Sequence, residues 1–183
     1  MEKYINIPIT KDKVKDLKVG DYVYITGTIY TARDAAHKRM YDSLVNGNRP
    51  PFDLTDATIY YLGPTPEREG EVIGSAGPTT SSRMDKYTPL MLEYGLTSMI
   101  GKGKRSKKVK EAMLKHTCVY FAAVGGAGAL LSKKITSSKV IAYDDLGTEA
   151  IRELYVKDFP VIVVVDCKGN DLYETAPLEF IIK

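Results

Sequence analysis

Apolar and polar positions alternate with period two through the first third of the chain, the pattern of strands that bury one face. Ile5 to Ile9 alternate in this way. After the turn Val19-Gly20-Asp21, the run Tyr22-Val23-Tyr24-Ile25-Thr26 adds β-branched and aromatic residues to the same period. The period then lengthens. Met40, Tyr41 and Leu44 recur at helical spacing behind Asp34 as N-cap, predicting a helix to about Asn46. Gly47 and Arg49-Pro50-Pro51 stop it.

Thr58–Leu62 reads as the next strand, and the Gly/Pro/Thr-rich stretch from Gly63 to Ser82 as loops around a short strand at Glu71–Ile73. A helix to about Tyr94 is expected with Thr88 as N-cap and Pro89 at its first position, where a missing N–H does no harm. Thr97–Ile100 is a short strand, Gly101–Arg105 a loop, and Ser106–His116 a helix capped by Ser106. A buried strand at Cys118–Val124, a glycine turn, a short helix to about Lys133 and a strand at Val140–Tyr143 follow. The continuous β-branched run Pro160–Val165 suits a strand covered on both faces, and Lys168-Gly169-Asn170-Asp171 predicts a hairpin turn into a strand at Leu172–Glu174. The sum is an α/β fold in which mixed sheet layers pack against helices.

At 183 residues, without an internal repeat or a long Pro/Gly/Ser linker, residues 1–183 are expected to form a single domain. The 44% hydrophobic and 27% charged composition is that of a soluble globular protein. No apolar run approaches the roughly 18 residues that span a membrane, and the N-terminus lacks the apolar segment of a secretory signal, so no membrane association and a cytoplasmic location are expected. A net charge of +3 is too small to mark a nucleic-acid binder. Cys118 and Cys167 lie far apart in strand-like surroundings and read as small hydrophobes in a reducing compartment. Two cysteines without CxxC spacing cannot ligate a zinc ion or an iron–sulfur cluster alone, so no metal site is expected on this chain.

Two nucleotide-like motifs fail on inspection. Gly95 to Gly103 approximates a phosphate-binding P-loop but has five residues between its first glycines instead of four, and Gly103 stands where Mg²⁺ needs Ser or Thr. Val124-Gly125-Gly126-Ala127-Gly128 follows a strand, yet Leu131 occupies the third glycine position of a dinucleotide fingerprint. Lys102 to Lys110 holds six basic residues in nine. It reads as a phosphate-tracking stripe, as a solvated helix face, or as a run in which only Lys102 does chemistry.

Three segments set a cation beside flexible backbone or a hydroxyl: Thr31-Ala32-Arg33-Asp34, the loop Gly77 to Asp85 (Gly-Pro-Thr-Thr-Ser-Ser-Arg-Met-Asp), and Gly101-Lys102-Gly103. Loops at strand ends gather binding groups in α/β proteins, and the guanidinium fork grips a carboxylate through two parallel hydrogen bonds. Two arginines and a lysine that converge suit a small dicarboxylate.

These segments, with Gly27 to Arg39 in full and Asp166-Cys167-Lys168-Gly169-Asn170-Asp171 near the end, resemble class I, iron–sulfur-dependent fumarate hydratase and L-tartrate dehydratase. The likeness is to their β subunit, equivalent to the C-terminal domain of the single-chain forms, over essentially the whole chain. It implies a swivelling β/β/α fold and a hydro-lyase of the tricarboxylic acid cycle interconverting fumarate and (S)-malate. Its alternative is L-tartrate dehydratase, giving oxaloacetate. A non-catalytic anion-binding regulatory module is the rival from another class. The resemblance also implies an α subunit holding a [4Fe–4S] cluster, in an α2β2 heterotetramer active only when both subunits are present.

By motif, Arg33, Arg83 and Lys102 would hold the substrate carboxylates. Thr79 would be the base, made competent by a cation such as Lys102. Asp34, His37, Thr80 and Asp85 would stand behind them. Within that set, Asp34 and Asp85 are expected to orient Arg33 and Arg83, and His37 to be a core or interface histidine more than a catalyst. Ser82 departs from the glycine common in the family, and would be strained if the position required a positive φ.

Overall fold

The computed structural model describes residues 2–123 and 128–179. Five strands run parallel in the order β1 (Glu2–Asn6), β2 (Tyr22–Thr31), β3 (Thr58–Tyr60), β4 (Ser98–Gly101) and β5 (Val119–Ala123). The short helix α1 (Lys11–Lys15) links β1 to β2, and α2 (Asp34–Val45) links β2 to β3. Two helices, α3 (Thr88–Glu93) and α4 (Lys107–His116), flank β4 in sequence. After α5 (Gly128–Ser132) come β6 (Ile135–Ala142), the long β7 (Ile151–Val165) and α6 (Leu172–Glu179).

β7 runs antiparallel to β2, β5 and β6. Because β7 pairs with both β5 and β2, the strands β2, β3, β4, β5 and β7 close a circuit. Period-two alternation divides the core between the two faces of that circuit. Ile25, Tyr60, Ile100, Phe121 and Val163 fill one cluster. Ile59, Tyr61, Met99 and Tyr120 face the other way, against Ala36 and Met40 of α2, Met91 of α3 and Met113 of α4. The molecule is thus a mixed α/β structure, as its hydrophobic pattern implied.

The two amphipathic helices form where the spacing put them. The cap of α4 is Ser106, whose Oγ accepts the Val109 N–H at 3.4 Å. Other elements differ. No strand forms at 71–73, and Thr88 is the first residue of α3 instead of its cap, donating its hydroxyl to the Met84 carbonyl at 2.9 Å. β7 extends nine residues N-terminal to Pro160; over that stretch Leu154 and Val156 face the core while Glu153, Tyr155 and Lys157 face solvent. The turn after β7 does form, but a helix follows it. Asp166 Oδ1 accepts the N–H groups of Lys168 and Asn170 at 3.0 and 3.1 Å, and Asp171 Oδ1 accepts that of Tyr173 at 2.9 Å. Asp171 therefore starts α6 as an N-cap, with Glu174 three residues on, and this capping overrides the hairpin signal. The glycine turn expected at 124–127 lies outside the described residues.

Candidate functional site

Register explains why distant segments meet. Thr31 pairs with Tyr60, and Tyr60 with Ile100, so β2, β3 and β4 end side by side at their C-terminal edge. Crevices beyond that edge are where open α/β sheets bind ligands. Arg33 follows β2, Tyr61 to Gly63 follow β3, and Lys102 follows β4. The loop carrying Thr79 and Arg83 is stitched onto the same edge. Thr79 donates its N–H to the Tyr61 carbonyl at 2.8 Å, Thr80 bridges to Lys102, and Ser81 donates its N–H to the Lys102 carbonyl at 2.9 Å. Arg33, Thr79, Thr80, Arg83 and Lys102 are thereby brought to one rim.

The charges on that rim are organised by Asp34. Its Oδ1 lies 2.9 Å from Arg83 Nε and its Oδ2 3.7 Å from Arg33 Nη2, so one carboxylate spans both guanidinium groups. As the first residue of α2 it makes no capping bond; the cap position belongs to Arg33. Asp34 thus orients both arginines, but as a bridge and not as a cap. Arg33 also has Glu149 Oε1 at 3.3 Å from its Nε, near enough for an ion pair yet not aligned for a hydrogen bond. A Cβ at Gly63 would lie 2.8 Å from both Cδ and Nη1 of Arg33, so the guanidinium side chain rests where only glycine leaves room. Arg83 is half exposed, and Lys102 is exposed and makes no ion pair among the described residues.

Asp85 behaves differently from the expectation. It does not touch Arg83; its Oδ1 accepts Arg105 Nε at 2.7 Å and its Oδ2 accepts the Ser106 N–H at 2.7 Å. Its partner lies in the next loop because Asp85 closes the 3₁₀ turn Ser81–Met84 and projects toward α4. Ser82 lies inside that turn and outside the left-handed region, so the departure from glycine carries no backbone strain.

Three side chains missing from the sequence-derived set hold the rim in place. Lys102 donates its N–H to Ser81 Oγ at 3.1 Å, Ser81 Oγ lies 2.8 Å from Tyr120 Oη, and Tyr120 donates to the Gly103 carbonyl at 2.9 Å. Since Tyr120 spends its proton on Gly103, Ser81 is the donor to Tyr120. Tyr173 of α6 accepts the Gly103 N–H at 3.1 Å. No spacing rule marks Ser81, Tyr120 or Tyr173, because each bond spans a long sequence distance.

His37 is fully buried, with Nδ1 2.9 Å from the Arg33 carbonyl and its ring edge-on to Tyr61 at 5.3 Å. Burial pushes its pKa down to about 4, against a smaller opposing effect of the Arg33 carbonyl. The ring is therefore neutral, Nδ1 carries the hydrogen, and His37 is a core residue that steadies the Arg33 backbone. Protonation is easier in the unfolded chain, so the associated stability is whole above about pH 6.5 and drains away as the pH falls toward 4. Replacing His37 by Gln is expected to remove about 3 kcal/mol of the acid-induced fall in unfolding free energy across that window, whatever its effect at neutral pH. Urea titrations at a series of pH values measure it, and parallel curves for the two proteins would refute it.

Arg33 Nε, Asp34 Oδ2 and His37 Nε2 are buried without a hydrogen-bond partner among the described residues. All three belong to the start of α2, and unfilled polar capacity concentrated there fits a polar ligand. Among the described residues no group of three or more His, Cys, Asp and Glu side chains is arranged to hold a metal ion. Cys118 is buried, its thiol pushed up to about 12 by desolvation, and Cys167 is half-buried and unpaired. Among the described residues no helix is long and apolar enough to cross a membrane.

Comparison with known proteins adds to this geometry. Residues 2–176 match the protein family described as Fumarase C-terminus. The chain is 40% identical over 170 residues to fumarate hydratase 2 of Leishmania major, covering 91% of this chain and 30% of that protein. It is 40% identical over 156 residues to the aerobic class I fumarate hydratase of Escherichia coli K12, covering 84% and 28%. A chain of Methanocaldococcus jannaschii provisionally named L(+)-tartrate dehydratase subunit beta is 40% identical over 172 residues, covering 91% and 88%. The chain thus spans about 30% of the length of the fumarate hydratases it matches.

Proposed function

Because the chain belongs to the fumarase C-terminus family, we propose that it is the β subunit of a hydro-lyase that adds water reversibly to fumarate, giving (S)-malate. The observation that carries this reading is the single carboxylate of Asp34 spanning Arg33 and Arg83 at the strand ends. Two guanidinium forks already arranged around one carboxylate are an arrangement into which a diacid fits. The swivelling β/β/α fold, one domain over residues 1–183 and a cytoplasmic location belong to the same reading.

Arg33 and Arg83 bind and orient the substrate carboxylates, and Lys102 supplies a further cation from the next strand end. Thr79 faces the carbon that loses or gains a proton. A hydroxyl there is a poor base unless a cation lowers the cost of its alkoxide, which is the task assigned to Lys102. Asp34, His37 and Thr80 hold these groups. The [4Fe–4S] cluster, for which the described residues offer no site, belongs in this reading to an α subunit within an α2β2 assembly. A second reading, L-tartrate dehydratase, is favoured by one observation: the Methanocaldococcus relative is a separate chain of matching length, whereas the fumarate hydratases are far longer.

Purified alone, the chain is expected to be colourless and inactive on malate, fumarate and tartrate. Co-expressed anaerobically with a neighbouring reading frame carrying three cluster-ligating cysteines, it gains oxygen-sensitive visible absorbance and turnover. Parallel assays on malate and tartrate choose between the two substrates. Turnover by the isolated chain, or none by the complex on any of the three diacids, refutes the assignment.

A further inference from the structure

The basic run 102–110 hides an exception. Lys107 and Lys108 face solvent, whereas the side chain of Arg105 is completely buried. Each of its three guanidinium nitrogens has an acceptor. Nε donates to Asp85 Oδ1 at 2.7 Å, Nη2 to Thr88 Oγ1 at 2.8 Å, and Nη1 to Tyr61 Oη at 3.1 Å. The rings of Tyr61 and Tyr120 lie 5.2 and 5.0 Å from its central carbon. Desolvation disfavours its charge, but Tyr61, Asp85 and Tyr120 reverse that effect and leave its pKa raised.

Stability alone is a poor reason for such a residue, since an apolar side chain of similar volume often fills a core as well as a buried ion pair does. What the guanidinium touches supplies a better one. Asp85 lies two residues beyond Arg83, and Arg105 itself three beyond Lys102. The Tyr61 carbonyl receives the Thr79 N–H, and Tyr120 closes the hydroxyl chain between Ser81 and Gly103. A planar fork with donors in fixed directions can fix the mutual placement of three loops; a flexible ammonium cannot. We propose that Arg105 is a positioning residue that sets where Thr79, Arg83 and Lys102 stand relative to one another. Its catalytic consequence rests on the function proposed above for those three residues.

The test uses R105Q, with two readouts. In the full chain, hydrogen exchange of the amides in 79–85 and 101–106 is expected to rise about tenfold or more while α2 and β7 keep wild-type protection. In the α-paired complex, kcat for the diacid is expected to fall about 100-fold while KM changes by less than about fivefold, because the cations still bind but are misaligned. R105K keeps the charge without the fork and is expected to recover less than about a tenth of the lost rate. Wild-type exchange in both loops of folded R105Q overturns the proposal, and so does loosening of the loops with kcat within about threefold of wild type. If R105Q does not fold, Thr88→Val decides. At constant shape it removes one acceptor of the guanidinium together with the donor to the Met84 carbonyl. The readout is therefore loop 101–106, which the Met84 bond does not touch. That loop should loosen and kcat fall about fivefold, and an unchanged 101–106 loop overturns the proposal. An inactive wild-type complex strikes the proposed function alone, and hydrogen exchange then decides the role of Arg105.

Discussion

Arg83→Lys is expected to lower kcat/KM of the α-paired enzyme by about 30- to 1,000-fold, the equivalent of about 2–4 kcal/mol lost from a charged hydrogen-bonded contact with substrate. The fold should not notice. Arg83 is half exposed, and its ion pair is with Asp34, so removing the guanidinium changes stability by less than about 1 kcal/mol. The ammonium preserves the charge, but it cannot make two parallel bonds to one carboxylate, nor can it present Nε to Asp34 and its remaining donors to substrate at once. The discriminating measurement is steady-state kinetics beside an unfolding curve for the same preparation. Wild-type turnover in a folded Arg83→Lys complex would contradict the assignment of this residue, and loss of turnover together with loss of the cooperative unfolding transition would leave its meaning structural.

What the chain disclosed before its structure was known is what local physics decides. Helical spacing behind residue 34, Ser106 ahead of α4, the apolar run of β5 and the β-branched runs of β2 and β7 each report a preference that acts over a few residues. The loops with Arg33, Arg83 and Lys102 were visible for a similar reason, since chemistry-bearing residues beside glycines and hydroxyls stand out in a linear text. Pairing across the chain did not. Asp34 looked like a cap because Asp before an apolar helix usually is one, yet Arg83, 49 positions away, competes for its carboxylate and wins. Asp85 looked like the partner of its neighbour Arg83, but the loop geometry hands it to Arg105. Glu149 stands beside Arg33 only because the 3₁₀ segment Asp144–Glu149 returns to the end of β2 ahead of β7. Arg105 was hidden by company: among exposed lysines nothing in composition tells a buried guanidinium from a solvated one.

Gly101→Ala is the substitution with the largest expected structural effect, and it tests the link between sheet and site directly. A Cβ at this position would lie 2.0 Å from Ser81 Oγ and 2.8 Å from Tyr61 Cδ2, closer than real contacts allow. The strand cannot retreat easily, because Gly101 pairs with Ala122 of β5 and Ile100 with Tyr60 of β3. Ser81 must therefore give way, and its hydroxyl abandons both the Lys102 N–H and Tyr120. Overpacking of this kind costs about 1–3 kcal/mol, and each buried polar group left unsatisfied adds about 1–3 kcal/mol, so a loss of about 3 kcal/mol or more is expected in urea unfolding. The same displacement moves Thr79 and Lys102 apart, so kcat/KM should fall at least about tenfold in whatever complex remains folded. Ser81→Ala relieves the closest clash, since the Ser81 Cβ is 3.3 Å from the added carbon. The double variant Ser81→Ala/Gly101→Ala is accordingly expected to be more stable than Gly101→Ala alone, whereas two independent losses would add and make it less stable. Full additivity of the two changes, or a Gly101→Ala protein within about 0.5 kcal/mol of wild type, would mean that β4 yields where its hydrogen bonds say it is held.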